Sequence, residues 1–164
     1  MCIRDSLYVG GNVYGSGFTT TANAFQSTKR VILAGFVAKL DPAGNVLYST
    51  YFGGTNGAKI TGLAVDPAGF VVLTGWTGSA DFPVVNSPDS VLAATPYHSQ
   101  VFAARLAPSG NVLVYSKLFP YGPLPPPSIG VPWAGAIAAD AFGNAYVAQS
   151  TFNCTALDLS LIHI

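Results

Sequence analysis

Phe36 to Phe52 reads FVAKLDPAGNVLYSTYF. Strand-forming residues stand on both sides of Asp41-Pro42-Ala43-Gly44. Pro42 presets φ for a type I turn, the Asp41 carboxylate can accept from backbone N–H groups two residues on, and Gly44 can take the left-handed conformation. That chemistry predicts a β-hairpin with Val37–Leu40 and Asn45–Tyr48 as its arms, joined by a loop of about three to five residues with a bulge. The stretch returns as FAARLAPSGNVLVYSKLF, Phe102 to Phe119, with one inserted residue.

A second hairpin alternates with the first. GLAVDPAGFVVLTG runs from Gly62 to Gly75 and returns as AIAADAFGNAYVAQ, Ala136 to Gln149. LYVGG, Leu7 to Gly11, is a headless third copy, and GFTTTANAFQ (Gly17 to Gln26) lines up with DFPVVNSPDS (Asp81 to Ser90). Asp66-Pro67-Ala68-Gly69, Ala107-Pro108-Ser109-Gly110 and Asp140-Ala141-Phe142-Gly143 repeat the turn logic of Asp41 and Gly44. The structural turn residues expected from sequence are therefore Asp41, Gly44, Asp66, Gly69, Gly110, Asp140 and Gly143.

Two alternating hairpins make a four-stranded unit. In the complete copy its strands are expected at about Thr61–Asp66, Phe70–Trp76, Phe102–Leu106 and Asn111–Leu118. A four-stranded antiparallel sheet repeated at tens of residues is the signature of a β-propeller blade. The fold class is thus all-β, a propeller fragment with one complete blade and parts of two others. The boundaries read as a partial blade over 7–60, a complete blade with a long Pro-rich connection over 61–134, the start of a further blade over 135–153, and a tail over 154–164. Ala64, Ala138 and Ala139 are small, as an innermost strand near a crowded axis requires.

At LAVDPAGFVVLTG, Asp81-Phe82-Pro83, FVAKLDPAGNVLYSTYFGG and IAADAFGNAYVAQ the chain resembles the bacterial β-propeller repeat family called SBBP. The resemblance covers most of Leu7 to Asn153. It implies large, secreted or cell-surface bacterial proteins, usually with no assigned activity. The chain departs from the family pattern at Ala107, which replaces the turn Asp. It departs again at Phe119-Pro120-Tyr121-Gly122-Pro123, which replaces the double Gly, and along the Pro-rich connection from Pro120 to Pro132.

The two ends read differently. Met1–Ser6 is MCIRDS and Leu159–Ile164 is LSLIHI. Reverse-complementary DNA can encode both, and that DNA resembles the transposon end used to tag sequencing libraries. Residues 1–6 and 159–164 are accordingly expected to be artefact, with the natural segment near Leu7 to Asp158. Cys154 is then the one natural Cys and His98 the one natural His. A single Cys closes no internal disulfide, and zinc needs about four clustered ligands.

Composition excludes several function classes. Only 9% of residues are charged, all seven acids are Asp, and the formal net charge is zero. Lys and Arg are scattered apart from Lys29-Arg30, so no basic stripe tracks phosphates and nucleic acid is not expected as a partner. No apolar run approaches the roughly 18–20 residues of a membrane-crossing helix.

Candidate chemistry is sparse. The turn carboxylates could suggest calcium, but calcium wants about six to eight oxygens and each turn offers one Asp, with Ala107 breaking the series. Capping of its own turn is the better role for each. Gly53-Gly54-Thr55-Asn56-Gly57-Ala58-Lys59 fails the spacing and the strand–helix context of a phosphate loop and reads as a blade-to-blade loop. His98 beside Ser99 lacks the G-x-S-x-G elbow of a nucleophile. No catalytic, cofactor-binding or metal residues are assigned. Trp76, Tyr97, Tyr121 and Trp133 are the candidate binding aromatics, a stacking platform for sugar or peptide. Pro123, Pro125, Pro126 and Pro127 suit a stiff polyproline spacer.

The expected function is a non-catalytic repeat scaffold or binding module, extracellular or on the cell surface. It takes a macromolecule or carbohydrate, needs no cofactor, and packs against the remaining blades of its own parent chain. The alternative is an enzyme whose site lies in the central funnel, on blades not present in this sequence. Propellers close with about four to eight blades, so a piece of this size is expected to leave blade faces uncovered and to aggregate.

Overall fold

The computed structural model describes residues 6–29, 31–87, 99–119, 133–150 and 159–162. Among them are ten strands and no helix: β1 (Leu7–Tyr14), β2 (Leu33–Leu40), β3 (Val46–Phe52), β4 (Ala58–Val65), β5 (Val71–Thr77), β6 (Gln100–Leu106), β7 (Leu113–Phe119), β8 (Trp133–Ala139), β9 (Ala145–Ser150) and β10 (Leu159–Ile162). They form three antiparallel sheets, β1-β2-β3, β4-β5-β6-β7 and β8-β9-β10, each running outward in sequence order. The middle sheet is a complete four-stranded blade.

Both hairpin types form where the turn chemistry places them. Gly44, Gly69, Gly110 and Gly143 all have positive φ, between 72° and 87°. Each donates its N–H to the carbonyl four-residue-turn partner Asp41, Asp66, Ala107 or Asp140. The inserted residue of the second long hairpin lies in its turn: Asp41 N–H donates to the Asn45 carbonyl, whereas Ala107 N–H reaches on to Val112. Asn111 therefore belongs to the turn, and β7 starts at Leu113, not at Asn111 as expected.

Register repeats as well. A bulge falls at Lys39/Leu40 and again at Arg105/Leu106. Another falls at Ile60/Gly62 and again at Ala134/Ala136. The pairing of Ala58, Lys59 and Ile60 with Thr77, Trp76 and Gly75 carries β4 back beyond the Thr61 start expected from sequence. The first sheet thus gives way to the second across 53–57, and Ala58 and Lys59 lie in a strand, not in the blade-to-blade loop. β10 pairs with β9, from Leu159 opposite Ala148 to Ile162 opposite Ala145.

The sheets pack face to face because strand alternation sends apolar residues both ways. From β6, Phe102, Ala104 and Leu106 point to the first sheet, joining Val37, Phe52, Ile60, Val71, Leu73 and Leu118. Val101 and Ala103 point to the third sheet, with Phe119, Val147 and Ile137. Burying one such Leu, Val or Phe contributes about 1.5–3 kcal/mol. Phe82 of the Asp-Phe-Pro motif is buried here too, with ring centroids 5.5 Å from Phe52 and 4.8 Å from Phe102.

A strand at the edge of a sheet exposes unpaired backbone groups that invite aggregation. Here the β1–β2 connection folds over β3, and the described part of the β5–β6 connection folds over β7. Over β3, Thr21 N–H donates to the Ser49 carbonyl and Tyr51 N–H to the Gln26 carbonyl. Over β7, Ser116 N–H donates to the Val85 carbonyl, and Asn86 Nδ2 donates to the Val114 carbonyl at 2.8 Å.

Candidate functional site

Antiparallel order puts every tight turn of the blades on one rim and every longer connection on the other. Contacts across the sheets agree. The Gly110 turn meets Tyr48, the Gly69 turn meets Tyr8, and the Gly143 turn meets Arg105.

On the turn rim the carboxylates are occupied by their own turns. Asp41 Oδ1 accepts from the backbone N–H of Ala43 at 2.9 Å and of Asn45 at 2.8 Å, while Oδ2 accepts from Asn45 Nδ2 at 2.8 Å. The Asn45 side chain and backbone hold the Asp41 carboxyl below the usual carboxylate range. Asp140 repeats the pattern with Phe142 and Asn144, and Tyr146 adds its hydroxyl at 3.1 Å. Partial burial raises the Asp140 carboxyl, but the hydrogen bonds from Asn144, Phe142 and Tyr146 outweigh it and lower it.

Asp66 differs because Phe70 stands where the other turns carry Asn. Its Oδ1 accepts from Phe70 N–H at 3.0 Å, and its Oδ2 accepts from Arg105 Nη2 at 2.6 Å. The Arg105 guanidinium lies 4.1 Å from the Phe70 ring centroid. A Cβ at Gly143 would come within 2.8 Å of Nη2, so the Arg105 head also fills the seam toward the third sheet. Lys39 holds the matching place in the first sheet, 5.2 Å from the Tyr8 ring, whose hydroxyl faces Gly69. A cation stacked on an aromatic thus props the first sheet and the second sheet each against the turn of the sheet that follows. Among the described residues no three His, Cys, Asp or Glu side chains are placed to hold a metal.

The loop rim carries the aromatic candidates. Trp76 lies near the end of β5, half-buried, with Lys59 Nζ 5.2 Å from its ring centroid. Trp133 in β8 pairs with Ser150 as Lys59 pairs with Trp76, so register brings Trp76 and Trp133 to the same end of adjacent sheets. Tyr97, Tyr121, His98 and the Pro-rich run fall outside the described residues.

The neighbouring Gly-rich loop is fixed from both sides. Gln26 Nε2 donates to the Gly53 carbonyl at 2.7 Å, and Gly53 N–H donates back to Gln26 Oε1 at 2.9 Å. Thr55 donates its N–H and its hydroxyl to Asp81 Oδ1, at 2.7 and 2.9 Å. Asn56 N–H donates to Ser79 Oγ at 2.9 Å. The loop's backbone groups join blades and do not cradle an anion.

Asn12 was not singled out by its sequence. Its Nδ2 donates to the Ile60 carbonyl at 2.9 Å and its Oδ1 accepts from Ile60 N–H at 2.8 Å, stitching β1 to β4 beside the bulge. A polar amide in an otherwise Gly- and Val-rich strand was the available signal.

Residues 47–83 match the family model described as a beta-propeller repeat, SBBP. This chain carries an SBBP repeat. The matched unit runs through β3, the 53–57 loop, β4, β5 and on to Pro83, so the SBBP sequence repeat is out of phase with the blade. It joins the outermost strand of one blade to the two inner strands of the next, along with the loop contacts between them. No curated protein matches the chain.

Proposed function

We propose that this chain is a stretch of a non-catalytic propeller scaffold, exposed outside the cell, whose loop rim binds carbohydrate. The observation that carries the reading is the division of labour between the rims. Turn-rim carboxylates are spent on capping and on the Arg105 prop. The loop rim presents Trp76, partly accessible and backed by Lys59, at the register level that Trp133 shares. An indole held by a cation on a rigid strand suits stacking against a sugar ring, since aromatic faces supply contact area at little entropic cost. Among the described residues no helix is long and apolar enough to cross a membrane. Extracellular placement rests on the SBBP resemblance.

The test is a pull-down of the chain on chitin, cellulose and peptidoglycan, with chromogenic ester, phosphate and glycoside substrates run alongside. Retention on a polysaccharide that falls by about 30-fold in Trp76→Ala, the scale of a binding hot spot, supports the reading. Hydrolysis that co-purifies with the chain would favour the enzyme alternative and overturn it.

A further inference from the structure

The two blade seams are closed differently at the loop rim. Gly11 pairs with Phe36 as Gly75 pairs with Phe102, so Asn12 and Trp76 hold equivalent places in their sheets. Asn12 spends both ends of its amide on the Ile60 N–H and carbonyl, beside the bulge of β4. The matching bulge of the third sheet lies at Ala134/Ala136. An indole has one N–H donor and no acceptor, so Trp76 cannot repeat that two-way clasp.

The binding groups at the second seam are therefore unspent. Trp76 shares a strand face with Thr74, and that face meets the third sheet: a Cβ at Gly62 would touch both Thr74 Cγ2 and Ile137 Cγ2. Lys59 stands directly opposite Trp76 on the same face, and both side chains are half-buried. Beyond its stacking on the ring, Lys59 makes no ion pair or hydrogen bond among the described residues, and the Trp76 indole N–H makes none either. Asp41, Asp66 and Asp140 lie at the opposite rim, and Asp81 accepts from Thr55. In β8, Gly135 and Ala136 are exposed and carry no bulky side chain.

We propose that Trp76 and Lys59 form a subsite for acidic carbohydrate, in which a hexuronate ring stacks on the indole and its carboxylate pairs with the Lys59 ammonium. The assignment rests on carbohydrate binding at the loop rim and gives it a sugar class. The indole takes the apolar face of a pyranose whatever the sugar's charge. The ammonium distinguishes a carboxylate on the sugar's outer carbon from a hydroxymethyl group there, because a charge-assisted hydrogen bond is stronger than a neutral one. The four-carbon Lys59 stem lets Nζ follow that substituent while the ring stays anchored.

The test is surface plasmon resonance on the full chain, tethered by a terminal biotin. Polygalacturonate and alginate are flowed beside their esterified forms, in which the carboxylates are masked, with soluble chitin and cellulose oligomers alongside. The wild type is expected to bind the acids about 5-fold tighter than the esters, the scale of one charge pair. That preference should fade as salt rises from about 0.05 to 0.5 M. Lys59→Met should bind acid and ester alike, at the wild-type ester level, which also shows that it is folded. Lys59→Arg should keep the preference, and so should Lys117→Met, which removes the same charge from β7. Trp76→Ala should weaken both forms by about 30-fold. Equal binding of acid and ester by the wild type, or a preference that survives Lys59→Met, overturns the acidic assignment; if Trp76→Ala still weakens both forms, carbohydrate binding at the rim stands. A wild type that binds the neutral oligomers but neither uronate overturns the assignment alone. One that binds none of these sugars overturns both.

Discussion

Gly110→Ala probes a blade junction through a single methyl group. A Cβ at Gly110 would sit 2.3 to 2.6 Å from three carbon atoms of the Tyr48 ring, far inside the roughly 3.5–4.0 Å at which carbon atoms make favourable contact. That ring is buried and belongs to the core between the first two sheets. Two costs follow. Holding Ala at a φ of 72° in the left-handed region costs about 1–2 kcal/mol. Displacing the packed ring costs about 1–3 kcal/mol more. Gly44→Ala supplies the control, because Gly44 has a φ of 87° and nothing within 4 Å of the added carbon. Its loss is the backbone term alone, about 1–2 kcal/mol. Urea denaturation of both variants, with slopes compared to confirm a common transition, measures the difference. Gly110→Ala should be the less stable by about 1–3 kcal/mol. Equal losses, within about 0.5 kcal/mol, would mean that the Gly110 turn does not rest on Tyr48 and would refute the packing of the first two blades at this point.

Further consequences concern the polar groups at the same seams. Tyr48 has a buried hydroxyl with no hydrogen-bond partner among the described residues, so Tyr48→Phe should stabilise the chain by about 1 kcal/mol in chemical denaturation. Burial raises the Tyr48 phenol well above its ordinary value of 10.0. The unfolded chain then loses this proton first, so stability falls as pH climbs past that value, and a pH titration of melting should show a shallower alkaline fall in Tyr48→Phe. Asp66→Asn leaves the Arg105 guanidinium with no carboxylate at a site where the Asp66 side chain is 2% exposed; a loss of about 3 kcal/mol in urea denaturation is expected, and a neutral result would remove the prop between the second and third sheets. At the acid end, the lowered carboxyl of Asp41 contributes stability above its ordinary value of 3.8 that disappears as pH drops through its folded value, so Asp41→Asn should flatten the acid limb of melting temperature against pH.

The hairpins were legible in the sequence because their causes are local. Asp41-Pro42-Ala43-Gly44 and its three counterparts carry the turn within four residues, and alternation on either side sets the strands. The fold class followed from the recurrence of those hairpins. What holds the blades to one another was not legible. Asn12 of β1 meets Ile60 of β4 from 48 residues away, and the Arg105 head that meets the Gly143 turn is itself held by Asp66 of its own blade, 39 residues away. Such pairs leave no spacing signal. Nor do they recur in kind: the place of Asn12 is taken by Trp76 in the next blade, and the place of Arg105 by Lys39 in the blade before. Residue type changes at equivalent positions from blade to blade, which hides the clamps from a search for repeated motifs. The candidate site was partly legible, since Trp76 and Trp133 stood out by size. Their common level did not, because it depends on the bulges at Ile60/Gly62 and Ala134/Ala136.

Face-to-face packing of successive blade sheets is the central claim, and a designed disulfide tests it most directly. A Cβ at Gly10 would lie 3.5 Å from Leu63 Cβ, across the seam between the first and second sheets. Disulfides span Cβ separations of about 3.5–4.5 Å. In a chain with Cys2→Ser and Cys154→Ser, the pair Gly10→Cys/Leu63→Cys should close within one molecule under mild oxidation, as read by intact mass and by mapping of the linked peptides. A pair that stays reduced, or that links only between molecules, would contradict the stacked-blade arrangement.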